Sequence, residues 1–105
     1  METQKLMCAD GVFKALDYGK EVTIRKGRRN ILLGNLIFEN IDTNEQAHVW
    51  VNNVMYCRLK DVPLELLEYD GFSDVENALE CMKDFYPDMT YETEVTVVKF
   101  NLKHI

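Results

Sequence analysis

Residues 70–102 read DGFSDVENALECMKDFYPDMTYETEVTVVKFNL. This stretch holds a turn, a helix, a stop and a strand. Asp70-Gly71-Phe72 turns the chain. Ser73-Asp74-Val75-Glu76 has the pattern of a capping box, with serine at the cap and glutamate three residues on. Val75, Ala78, Leu79, Met82 and Phe85 recur at three and four, which predicts an amphipathic helix over 74–85. Tyr86-Pro87-Asp88 stops it. Glu94–Leu102 is β-branched and alternating, a strand with Thr96, Val98, Phe100 and Leu102 on one face.

Nearer the N-terminus, Asp10–Tyr18 carries Val12, Phe13, Ala15 and Leu16 at helical spacing. Asp10 serves as a possible cap and Gly19 closes the helix. Glu21–Arg25 alternates as a strand, Val22 and Ile24 facing one side and Glu21, Thr23 and Arg25 the other. Leu36-Ile37-Phe38 forms another strand, and Asp42–Glu45 a turn. Ala47–Leu59 forms a longer strand with a bulge at Asn52-Asn53. A short helix is expected over Leu64–Glu68, after Pro63. The order helix, several strands, helix, strand predicts an α+β, mainly β fold. Its form is a small antiparallel barrel or curled sheet with two or three helices packed outside.

The whole chain, residues 1–105, is read as one domain, large enough for a core without staples. No apolar run approaches the roughly 20 residues of a membrane span. No leader is visible at the polar start, so the expected location is cytoplasmic. Cys8, Cys57 and Cys81 are odd in number and widely spaced. They read as reduced structural thiols, with Cys57 and Cys81 in the core. The lone histidines His48 and His104 lack ligand spacing, so no metal and no cofactor is expected. The formal net charge is −6, but it is uneven. Residues 1–35 sum to +3 and residues 36–105 to −9. The cations gather in Arg25-Lys26-Gly27-Arg28-Arg29, a loop rather than a helix face. An acidic remainder repels long duplexes, so broad DNA binding is excluded. A small or locally docked anion at a basic rim is not.

Three segments in order resemble the ASCH domain, a branch of the PUA-like superfamily. They are Gly19-Lys20-Glu21-Val22-Thr23-Ile24-Arg25; Gly34-Asn35-Leu36-Ile37-Phe38; and Asp70-Gly71-Phe72-Ser73 with Phe85-Tyr86-Pro87 and Val95-Thr96-Val97-Val98-Lys99-Phe100. The resemblance spans about residues 10–102. It implies a PUA-like curved β-barrel with flanking helices, a cleft between barrel and helix, and RNA, nucleotides or modified nucleosides as partners. One enzymatic branch that the chain resembles is the small bacterial N4-acetylcytidine amidohydrolases. That branch uses a lysine, a threonine three residues later and a glutamate before the second helix. Lys20 and Thr23 match the first two. Asp70 stands where that branch has glutamate, and Glu68 is the alternate.

Two functional readings follow. In the first, a cleft beside strand 20–25 binds RNA, a nucleotide or a modified nucleoside. Lys20, Arg25, Lys26, Arg28 and Arg29 supply charge, and Thr23 and Asp70 supply hydrogen bonds. In the alternative, the chain is a metal-independent amidohydrolase acting on N4-acetylcytidine or a related N-acylated nucleoside. Neutral Lys20 then takes a proton from Thr23 or from a water, and Asp70 positions the substrate amine or shuttles the proton to the leaving group. In a regular strand, residues 20 and 23 point to opposite faces. Both line one cleft only if Lys20 sits at a bent start just after Gly19. The simpler reading makes Lys20 a solvated helix-end cation, Thr23 a strand residue and Asp70 a turn former. Trp50 and Tyr56 are candidates for stacking a base.

Overall fold

In a computed structural model, which describes residues 4–102, the chain builds one five-stranded sheet. The elements are β1 (Gln4–Cys8), α1 (Asp10–Ala15), β2 (Val22–Lys26), β3 (Gly34–Asn40), β4 (Gln46–Arg58), α2 (Leu64–Tyr69), α3 (Val75–Lys83) and β5 (Glu94–Leu102). The strand order is β1-β3-β4-β5-β2. The sheet curls into a half-barrel with helices against it, the expected α+β architecture.

The sheet departs from the expected antiparallel barrel in two ways. First, β1 pairs with β3 in parallel, Gln4 opposite Leu36, while the other pairs are antiparallel. A parallel neighbour requires a long crossover, which α1 and β2 provide. The polar opening of the chain hid this strand. Its pattern places Leu6 and Cys8 inward and leaves the intervening residues solvated. Second, β1 and β2 remain as the two edges of the sheet. The Arg25 guanidinium spans the gap between them, Nη1 donating to the Met7 carbonyl at 2.8 Å.

Two apolar clusters stabilise the fold. The inner one fills the curl with Leu36, Phe38, Val49, Val51, Val98 and Phe100, and the Phe38 and Phe100 rings lie 5.0 Å apart. The outer one joins Val22, Ile24, Val95 and Val97 to Leu67, Ala78, Leu79 and Met82 of the helices. Val95 and Val97 thus face the helices while Val98 and Phe100 face the curl. That is why β5 reads as a near-continuous apolar run. Each fully buried phenylalanine contributes about 1.5–3 kcal/mol relative to exposure. The β4–β5 register shifts between Val51 and Asn53, at the expected bulge. Before it, Val49 and Val51 enter the inner cluster. After it Val54 does, while Met55 and Cys57 pack on the outer one. One extra residue changes the parity, so β4 supplies both cores.

Helix ends differ from expectation by local chemistry. The α3 cap is Asp74, not Ser73: its carboxylate accepts the Asn77 N–H at 2.7 Å, and Asn77 Oδ1 accepts the Ser73 N–H at 3.1 Å. A carboxylate at a helix N-terminus also meets the positive end of the dipole. The helix ends at Lys83, so Phe85 leaves the apolar stripe and is 67% exposed. Asp10 does not cap α1. It lies in the first turn, pairs with Lys14 at 3.0 Å and accepts from Asn40 Nδ2 at 2.9 Å. A 3₁₀ turn, Leu16–Tyr18, follows α1. Gly19 then takes φ 91°, a left-handed conformation that swings the chain into Lys20 and β2.

Candidate functional site

A cleft of about 370 Å³ opens where the two sheet edges meet α3 and the α2–α3 turn. Its polar floor is Lys20, Thr23, Arg25 and Asp70, and its apolar wall includes Cys8, Ile24, Phe72 and Met82. Met7, Ile41 and Phe85 stand at its mouth, 45%, 56% and 67% exposed.

The backbone explains how residues three apart share this cleft. Lys20 lies before β2 begins at Val22, and the left-handed Gly19 turns it off the strand's alternation. It is therefore not a solvated helix-end cation. Its ammonium contacts Asp70 Oδ1 and donates to the Asp70 carbonyl at 3.4 Å. The two side chains are only 9% and 7% exposed. Burial, and then the Arg25 guanidinium, pull the Lys20 pKa from 10.5 to about 8, while Cys8 acts in the opposite sense.

Asp70 follows α2 directly, and the next residue, Gly71, turns the chain away with φ 96°. Its Oδ2 accepts the Ile24 N–H at 3.1 Å. An edge strand otherwise leaves such an amide without a ladder partner. Asp70 thus clips the β2 edge to the helical layer while holding Lys20. Glu68, two residues earlier on α2, is exposed and does not line the cleft. Thr23 is 3% exposed, and its Oγ1 accepts from Arg25 Nε at 3.2 Å. Burial lowers the Arg25 pKa from its ordinary value.

The basic segment divides. Arg25 enters the cleft. Lys26 Nζ pairs with Asp88 at 2.6 Å, which holds the Asp88 carboxyl below its usual range. Arg28 lies over the Tyr56 ring at 4.1 Å and 4.0 Å from Glu94. Arg29 donates to the Lys26 carbonyl at 3.2 Å and to the Tyr86 hydroxyl at 3.4 Å; Tyr86 lines the cleft. The fully buried Thr96 fixes this turn, its Oγ1 donating to the Gly27 carbonyl and accepting the Arg29 N–H, both at 2.7 Å.

Other candidates fall elsewhere. Trp50 and Tyr56 lie on β4 and do not line the cleft. His48 is exposed on the same strand, and His104 lies outside the described residues. Cys81 is exposed at the cleft rather than in the core, because it falls off the buried stripe of α3. Cys57 is half-buried. Among the described residues, no group of three or more His, Cys, Asp or Glu is placed to hold a metal ion. No helix among them is long and apolar enough to cross a membrane. Sequence reasoning missed Cys8, Ile41, Phe72, Phe85 and Tyr86 as cleft residues. The one available signal was Tyr86-Pro87, where the helical stripe breaks off.

Such a floor can hold a polar group. It pairs a lysine poised near neutrality with a carboxylate, a buried hydroxyl and a guanidinium, below a mouth that takes an apolar or planar body. No family model matches the chain, and no curated protein matches it. Solved structures do. The chain is similar to an ASCH domain from Lactobacillus crispatus, with a TM-score of 0.69 and 13% identity over 94% of this chain and 79% of that one. The hypothetical protein PH0355 gives 0.74 and 17% over 97% and 100%. The protein ZmASCH from Zymomonas mobilis gives 0.68 and 10% over 95% and 66%. The chain therefore shares the fold of these ASCH-domain structures, with little sequence in common with them.

Proposed function

We propose that the cleft binds a nucleotide, a modified nucleoside or an RNA end. The observation that carries this reading is the convergence of Lys20, Thr23, Arg25 and Asp70 on the floor of one cleft of about 370 Å³. That volume is in the range of small-molecule sites and far from an extended nucleic-acid groove. Polar edges of a base or ribose meet the floor, and the planar body meets Met7, Ile41 and Phe85. Calorimetric titration with N4-acetylcytidine tests it. Thr23→Val and Arg25→Met are expected to weaken binding about tenfold each, the cost of one hydrogen bond to a buried polar group. Trp50→Ala, away from the cleft, leaves it unchanged. Equal affinity in all variants overturns the reading.

A second reading is favoured by one specific observation, the Lys20 pKa of about 8 beside Thr23 and Asp70. Neutral Lys20 takes the proton of the Thr23 hydroxyl as its oxygen attacks the acyl carbon of an N-acylated nucleoside. The C–N bond breaks, and Lys20 returns the proton to the leaving amine, which Asp70 positions. Water then hydrolyses the Thr23 ester, giving the free acid. Incubation with N4-acetylcytidine and chromatography for cytidine decides it. Turnover lost in a folded Lys20→Ala variant supports it; no cytidine at high protein concentration excludes it.

A further inference from the structure

Among the described residues, Lys5, Lys14, Lys20, Lys26, Arg28, Arg58 and Lys60 each have a carboxylate partner. Arg25, Arg29, Lys83 and Lys99 have none; the two lysines are exposed, whereas both arginines are half-buried in a protein with a net charge of −6. The two arginines also lie close enough to repel one another, and Tyr86, whose hydroxyl accepts from Arg29, is within electrostatic reach of Arg25. Each guanidinium keeps N–H groups without a protein acceptor. Arg25 uses Nε on Thr23 and Nη1 on the Met7 carbonyl; Arg29 uses Nε on the Lys26 carbonyl and Nη2 on Tyr86. Two partly desolvated cations within electrostatic reach of one another, neither paired with a carboxylate, are electrostatically costly. Every nearby acid is committed elsewhere: Asp70 to Lys20, Asp88 to Lys26, and Glu94 toward Arg28.

We infer that Arg25, Arg29 and the Tyr86 hydroxyl form a phosphate subsite at the edge of the cleft, so that the preferred ligand is a phosphorylated nucleoside rather than a free one. This rests on the nucleoside reading above and narrows it. Paired guanidiniums match a phosphate monoester by shape and charge, and a tyrosine hydroxyl donates a further hydrogen bond. Lys26 and Arg28 take no part. The Thr96 contacts to Gly27 and Arg29 give the subsite a rigid backbone frame.

The test titrates the full chain with N4-acetylcytidine, its 5′-monophosphate and ribose 5-phosphate. The monophosphate is expected to bind about tenfold or more tighter than the nucleoside, the worth of charge-assisted hydrogen bonds, and less so as salt rises. Arg29→Met, whose side chain bonds only a turn carbonyl and Tyr86, is expected to reduce that preference to about twofold. Arg25→Lys keeps the charge and guards against a folding defect in Arg25→Met, each variant being checked by thermal melting. Equal affinity for nucleoside and monophosphate overturns the subsite and leaves the nucleoside reading standing. Arg29-dependent binding of both phosphate compounds with no contribution from the base supports the subsite and overturns the nucleoside reading. No binding of either phosphate compound overturns the subsite.

Discussion

Asp70→Asn keeps the shape of the side chain and an acceptor for the Ile24 N–H, but removes the charge that Lys20 contacts. The size of the effect follows from burial. The two side chains are 9% and 7% exposed, so the pair belongs to the buried class. Removing one member of a buried pair strands its partner and costs ~3–5 kcal/mol, whereas an exposed pair is worth ~0.2–1 kcal/mol. Lys20 has an escape that limits the loss: with its pKa already drawn down to about 8, it gives up its proton more readily than an ordinary lysine once the carboxylate is gone. The expected loss at pH 7 is therefore ~3 kcal/mol, the low end of the buried-pair range and small enough to leave a domain of ~5–15 kcal/mol folded. Urea unfolding followed by circular dichroism measures it. The loss shrinks by pH 9.5, where Lys20 is neutral in the wild type as well. Lys20→Met combined with Asp70→Asn recovers at least ~2 kcal/mol of the summed single losses. A loss below ~1 kcal/mol at pH 7, or one that does not change with pH, would refute the buried pair.

Three further outcomes are expected. The folded Lys20 pKa of about 8 lies below the unfolded 10.5, so the unfolded chain holds the extra proton between those values. Stability relative to Lys20→Met then rises with pH across that window, by roughly 3 kcal/mol at the limit; a flat difference in urea midpoints contradicts it. Thr96→Val leaves the Gly27 carbonyl and the Arg29 N–H without their partner, which costs ~2 kcal/mol and speeds hydrogen exchange at the Arg29 amide; unchanged exchange means that the turn is held otherwise. Cys81, exposed at the cleft, reacts fastest with a thiol reagent, since Cys8 is buried and burial raises the Cys8 and Cys57 thiols. Saturating N4-acetylcytidine slows that reaction, and no protection argues that the ligand lies elsewhere.

Periodicity and turn chemistry made most of the fold legible. The helix after Ser73, the bulge at Asn52-Asn53 and the limits of β5 are local signals, and they sit within a residue or two of expectation. What escaped was non-local. β1 is only five residues long, its apolar residues, Leu6-Met7-Cys8, run together without alternating, and its parallel pairing with β3 depends on a crossover that no window of sequence contains. The meeting of Lys20 and Thr23 turned on Gly19, whose left-handed conformation breaks the strand alternation. Charge density along the sequence also misled in part. Arg25-Lys26-Gly27-Arg28-Arg29 reads as one rim, yet the fold sends Lys26 to Asp88 and Arg28 to Tyr56, leaving Arg25 in the cleft and Arg29 on the Tyr86 hydroxyl beside it. Asp88 and Tyr86 were visible only as helix-stop residues, because their partners lie about sixty positions away along the chain.

The most direct test of the cleft as the ligand site is an amide chemical-shift titration of the ¹⁵N-labelled protein with N4-acetylcytidine 5′-monophosphate. The expected shifts cluster at Lys20, Thr23, Arg25, Asp70 and Tyr86 and saturate together. Shifts confined to the opposite strand positions around Trp50 and Tyr56, or none at millimolar ligand, would contradict the assignment.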